Sequence, residues 1–236
     1  MRPLILAALA IAVLAGCSAP SEPASSIAPE PSISRSAAPV PDDPNEALAV
    51  AIQNGDADAL TAALERGADP NAEIGPDVTP LVASIRRDDA ELVRLLAEAG
   101  ADVNQVGDGG FTPLHRAGEA AGGEVVTVLL EAGAAPDAET EGPYGFLPIQ
   151  VAAFRNNPEA IEAFVAFGVP VDQRNVFFDA TALHYAAFGD SVEAIEALLQ
   201  LGADPQALQM DGQTPLEVAQ LNGNEQAAAI LALVSG

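Results

Sequence analysis

Few residues in this chain are equipped for acid–base chemistry. There are two histidines, His115 and His184. His184 lies in the stretch NVFFDATALHYAAFGD, residues 175–190, with Thr181 and Asp190 close by. An imidazole with a nearby hydroxyl and carboxylate is a minimal set for general-base work. The same stretch holds Phe177, Phe178, Tyr185 and Phe188, although aromatics are only 4% of the chain. It reads as a reaction site, as a slice of core, or as a surface that holds something.

The surrounding sequence argues against catalysis. The two histidines are too far apart for metal-ligand spacing, and Cys17, the single cysteine, permits neither an internal disulfide nor a cysteine-based zinc site. There is no Gly-x-Ser-x-Gly elbow, no phosphate-cradling loop and no His-Glu-x-x-His. The run Gly107-Asp108-Gly109-Gly110 follows no strand pattern and carries no lysine, so it reads as a glycine-rich turn. Carboxylates are spread along the helical segments, as on solvated faces. The expectation is a non-enzyme with no catalytic residue, metal or cofactor.

The formal net charge is -25, all nine basic residues are arginines, and lysine is absent. So acidic a surface repels phosphate backbones, which excludes nucleic acid as a partner and favours a basic protein if the partner is charged.

The opening MRPLILAALAIAVLAGC has a basic start, a short apolar run and small residues at its end. The run is too short to span a bilayer comfortably and fits a secretory signal, residues 1–16. Leu14-Ala15-Gly16-Cys17 resembles the bacterial lipobox. That resemblance implies cleavage before Cys17, lipid attachment to it, and a membrane association made through the lipid alone; Ser18 after the cysteine points to the outer membrane, facing the periplasm. Residues 17–44 form a Pro/Ser/Ala-rich segment without hydrophobic period, read as a disordered tether. Roughly 27 such residues reach at most about 90 Å.

Residues 45–236 repeat themselves. Thr79-Pro80-Leu81, Thr112-Pro113-Leu114, Leu147-Pro148-Ile149, Thr181-Ala182-Leu183 and Thr214-Pro215-Leu216 recur in step. So do loops opening at Gly67, Gly100, Gly133, Gly168 and Gly202, spaced by 33, 33, 35 and 34 residues. Thr suits a helix N-cap and Pro the first helical position. Leucines at helical spacing in AELVRLLAEAG and VEAIEALLQLG mark a second helix, ended by glycine. With TPLHRA at 112 and TALHYAA at 181, this pattern resembles the ankyrin repeat. The resemblance implies an all-α solenoid of about six helix-turn-helix repeats with short β-hairpin fingers, in which both histidines link neighbouring turns and Asp190 is a turn residue. PNEALAVAIQNG serves as the N-terminal cap, NEQAAAILALVSG is an unusually apolar end, and the finger near ETEGPYGF is longer by two residues.

Nine of the ten Phe and Tyr residues fall between Tyr144 and Phe188. Phe164 and Phe167 are expected on the inward stripe of a second helix. Tyr144, Phe146, Phe177 and Phe178 belong to fingers; Phe154, Tyr185 and Phe188 sit at variable positions of first helices. The resemblance implies that fingers and first helices line the partner-gripping surface, where aromatics make strong contacts. Arg116, Arg155 and Arg174 stand beside them as anchors for acidic spots. Packing of these aromatics on one another is the alternative. The expected function is a monomeric, lipid-anchored envelope protein that binds a protein partner. An inhibitor or immunity role against an envelope-targeted toxin or hydrolase is a narrower alternative, and an envelope hydrolase a rival of another class.

Overall fold

The computed structural model describes residues 41–75, 78–141 and 145–234. The signal, Cys17, nearly all of the tether and Tyr144 lie outside them. Twelve α-helices are found among the described residues, in six antiparallel pairs. The first pair is α1 (Pro44–Asn54) and α2 (Ala57–Glu65). Next come α3 (Pro80–Arg86) with α4 (Ala90–Glu98), and α5 (Pro113–Ala120) with α6 (Gly123–Glu131). Then follow α7 (Pro148–Phe154) with α8 (Pro158–Phe167), and α9 (Ala182–Gly189) with α10 (Val192–Gln200). The last pair is α11 (Pro215–Asn222) and α12 (Glu225–Val234). Each first helix packs on the first helices of adjacent pairs, and each second helix on the second helices. No pair encloses its own apolar face, so one continuous core runs from Leu48 to Leu231.

Local sequence explains the boundaries. Asp43 caps α1 by accepting from the Asn45 amide at 2.9 Å, and Thr214 caps α11 by accepting from the Glu217 amide at 3.3 Å. Asp56, Asp89 and Asn157 do the same for second helices. The chain leaves five of the second helices through glycine, as at Gly100 with φ 92°, a left-handed conformation that a Cβ disfavours.

Asparagine and aspartate then tie pair to pair. Asp88, Asn156 and Asp190 are left-handed turn residues whose side chains accept from Gly122, Ala194 and Ala227 amides of the following pair, at 2.6, 2.9 and 2.9 Å. Asn71 and Asn104 accept from the Asp102 and Ala135 amides, each at 2.8 Å.

Between pairs lie the fingers, and they differ from the expected hairpins. Each is closed at its base by one backbone bond: Ile74 N–H to Val78 O, Gly107 to Phe111, Thr140 to Phe146, Asn175 to Ala180 and Gln209 to Gln213. Among the described residues there is one isolated antiparallel bridge, Gly75 with Val78, and no strand. In two fingers the amide that would make the return bond goes to a side chain, Phe146 N–H to Thr140 Oγ1 and Ala180 N–H to Asn175 Oδ1. The Thr140–Phe146 loop is two residues longer than its Gly107–Phe111 counterpart, as the insertion near ETEGPYGF predicts.

Phe167 corrects one expectation. Helix α8 buries Ala160, Ile161 and Phe164, whereas Phe167 is 49% exposed. It is the last helical residue, and Gly168 caps the helix immediately after it. At the far end, Leu221, Leu233 and Val234 are exposed, so the last pair is the apolar end foreseen.

Candidate interaction surface

Every first helix carries its third residue at the base of a finger. In α5 that residue is His115. Its Nδ1 accepts from the Thr112 amide (3.2 Å) and hydroxyl (2.9 Å), and its Nε2 lies 2.8 Å from Phe146 O in the next finger. A carbonyl only accepts, so Nε2 carries the proton. His184 in α9 repeats this with Thr181 and Gln213 O, the latter at 3.1 Å. Burial lowers both imidazole pKa values, that of His115 to about 4. Both rings are neutral hydrogen-bond links with no nitrogen open to a substrate. Asp190, read with His184 as a possible acid–base pair, is instead spent on the Ala227 amide.

In α7 the third residue is Gln150, at a position where α5 and α9 carry histidine. Its Oε1 accepts from the Leu147 amide at 3.1 Å, and its Nε2 donates to Ala180 O at 2.8 Å. The amide thus supplies the same acceptor–donor pair as the imidazole, and Leu147 needs no hydroxyl. The signal was legible in principle: a buried polar residue at the histidine position must satisfy both ends.

The aromatics divide. Phe146 and Tyr185 are buried and meet edge to face at 5.2 Å, and the Tyr185 hydroxyl accepts from Asn175 Nδ2 at 3.1 Å. Burial pushes the Tyr185 phenol up. These two belong to the core, which corrects their assignment as partner contacts. The longer finger folds Phe146 inward over α9. Phe154 and Phe188 are half-buried and stacked at 5.9 Å. They occupy the seventh position of successive first helices. Across α3, α5, α7, α9 and α11 that row reads Arg86, Glu119, Phe154, Phe188, Leu221, charged at one end and apolar at the other. Leu221 is 60% exposed.

The fingertips add a second apolar strip. Val176 is 77% exposed, Phe177 46%, Leu208 52% and Met210 63%. Phe177 lies over Gly145, where a Cβ would come within 2.5 Å of its ring. Half-buried Phe178 accepts the Met210 amide through its carbonyl at 2.7 Å, joining two fingers. Val176, Leu208 and Met210 belong to no motif and are not aromatic; their trace in the sequence is an apolar residue inside a polar loop, as in QALQMDGQ.

The expected arginine anchors are already engaged. Arg174 donates to Asp179 and to Leu208 O, bridging two fingers. Arg116 reaches Glu119 at 3.2 Å and stacks 4.7 Å from the Phe111 ring centroid, and Arg155 binds the same carboxylate. Among the described residues no three His, Cys, Asp or Glu side chains are grouped to hold a metal ion, and no helix is long and apolar enough to cross a membrane.

Residues 46–140 and 149–235 match the family model described as Ankyrin repeats (3 copies). The chain belongs to the ankyrin-repeat family. Among solved structures, this ankyrin-repeat protein resembles the ankyrin repeat domain of Bcl-3, described as a unique member of the IkappaB protein family. The TM-score is 0.65 at 22% identity, over 79% of this chain and 85% of that one. At that identity the likeness is one of fold.

Proposed function

We propose that this ankyrin-repeat protein is a non-catalytic binder of a protein partner in the bacterial cell envelope. The observation that carries the binding reading is the apolar strip of fingertips, Val176, Phe177, Leu208 and Met210, exposed on a chain of net charge -25. Solvated acidic surface needs no such strip, and large exposed apolar side chains in adjacent loops mark a contact area. The engaged histidines support the absence of catalysis. The net charge favours a basic partner, steered by the long-range field, and also suits the narrower role of inhibitor or immunity protein against a basic envelope-targeted toxin.

The envelope placement rests on the sequence MRPLILAALAIAVLAGC: signal, cleavage before Cys17, acylation, and delivery to the outer membrane with the repeats facing the periplasm. Acyl chains contribute about 0.8 kcal/mol per buried CH₂, which makes multiple acylation an effective anchor. Metabolic labelling with an alkyne fatty acid tests it: wild type is labelled and membrane-bound, and Cys17→Ser is neither. Label retained by Cys17→Ser sinks the anchor.

For binding, tagged wild-type chain and a Phe177→Ser/Met210→Ser variant serve as baits in envelope extracts. A defined partner captured by wild type and lost by the folded variant supports the reading. Equal capture by both places binding elsewhere, and capture by neither refutes the binding role in those extracts.

A further inference from the structure

The last of the second helices lacks the charge that the other five carry on their solvent side. The second residue of α2, α4, α6, α8 and α10 is Asp58, Glu91, Glu124, Glu159 and Glu193, each exposed; in α12 it is Gln226. The ninth residue is Glu65, Glu98 and Glu131 in the first three, Ala166 and Gln200 in the next two, and Leu233 in α12, where it is 84% exposed. Ala229 takes the fifth position, at which α8 and α10 carry Glu162 and Glu196. Glu225, at its first position, is the one ionisable side chain of α12.

This end of the array is not built to receive a further repeat. Glu217, the third residue of α11, turns its carboxylate back onto the Thr214 amide at 2.9 Å and hydroxyl at 3.2 Å. A carboxylate has no proton to give to the carbonyl of a following finger, which is what His115, Gln150 and His184 do. At the turn between the helices, Gly223 stands where Asn156 and Asp190 reach the following pair. Both polar ties of repeat stacking are therefore missing, while Leu233, Val234, Ala229 and Ala232 lie exposed on α12. Head-to-tail stacking of copies has no fastening here. A face that meets its own copy about a two-fold axis needs none, because it has only to be complementary to itself.

We propose that α12 is the contact between two copies of this chain, paired about a two-fold axis. Charge selects the occupant. A net charge of -25 draws a basic partner towards carboxylates, and the outer face of α12 is where those carboxylates are missing. Two copies repel wherever their acidic helices meet. They come together at an uncharged helix on the very end of the array, with the other repeats of both copies directed apart. An antiparallel pairing of the two α12 helices also opposes their dipoles. Ten residues make a helix about 15 Å long, so the interface belongs to the small, transient class. The pairing replaces the monomer expected from the sequence. It goes beyond the protein-binding reading above, and the fingertip strip takes no part in it.

The test co-expresses two copies of the full chain that carry different epitope tags within residues 18–40. In one copy a photo-reactive benzoylphenylalanine replaces Ala229. Irradiation should give an adduct of twice the chain mass that carries both tags. Leu233→Glu in both copies should lower its yield roughly tenfold or more, because each copy then brings an unpaired carboxylate to the contact. The melting temperature should stay unchanged, since Leu233 is solvent-exposed. Gln226→Glu only restores the acid that the other five helices carry, and it should lower the yield as well, so the result does not hang on one variant. The photo-reactive residue in place of Arg94, the fifth residue of α4, should give no such adduct. No adduct from position 229 overturns the proposal, as does an adduct that survives both substitutions or forms equally from position 94. An adduct with a different protein gives α12 to that partner and likewise overturns it. Capture by the fingertips is read separately with Phe177→Ser/Met210→Ser, so either reading can fail alone.

Discussion

The two ends of the repeat array solve one problem differently. From α5 onward His115, Gln150 and His184 fasten each finger to the repeat before it. In α1 and α3 the same position holds Glu46 and Val82, and Val78 O and Phe111 O go without the second bond. The helices stack in both halves, so the link is not what builds the solenoid. It fixes where the fingers stand. Where it is absent between α3 and α5, Val82 and Phe111 line a cleft of ≈ 630 Å³.

Acid should expose the difference most. His115 is neutral in the fold with a pKa of about 4, against 6.5 unfolded. Above pH 6.5 neither state is protonated and stability is flat. Between 6.5 and about 4 the unfolded chain takes a proton that the folded chain refuses, so stability falls as pH falls. The loss is on the order of 3 kcal/mol from His115 alone. His184 adds in the same direction. Urea unfolding across this range should show the fall in wild type and little of it in His115→Gln/His184→Gln. An unchanged slope in that variant would remove the histidines as its cause.

Gln150→Leu is next. It strips two buried backbone groups, the Leu147 amide and Ala180 carbonyl, of their partner, at about 2 kcal/mol. Gln150→His should recover most of this if the two side chains are interchangeable links, as denaturant midpoints will tell. Val82→His should move the open half towards the closed one and gain about 1 kcal/mol. Phe177→Ser, at a fingertip that belongs to neither link, should shift stability by only about 0.5 kcal/mol. A large loss there would mean the tip is core.

Much of this was readable before any coordinates. Thr-Pro caps, leucine spacing and glycine exits announced the helices, because each follows from local backbone chemistry. His115 and His184 were placed correctly because the motif names them. Gln150 was missed because the motif is written in residue types, whereas the fold selects an acceptor and a donor at a given reach. Phe146 and Tyr185 were read as surface because their burial is decided by a neighbouring repeat. Phe167 was read as core since a periodic pattern does not reveal that the helix ends there.

The finger links also have a direction. Each runs from a donor in one repeat to a carbonyl in the next. Removing the last repeat would strand the buried Nε2–H of His184, whereas removing the first would break no link of this kind. The array is therefore cheaper to trim from its beginning than from its end. It is also completed in the order the ribosome makes it: each of the three linking side chains emerges first, and its acceptor follows about thirty residues later, the length of one repeat.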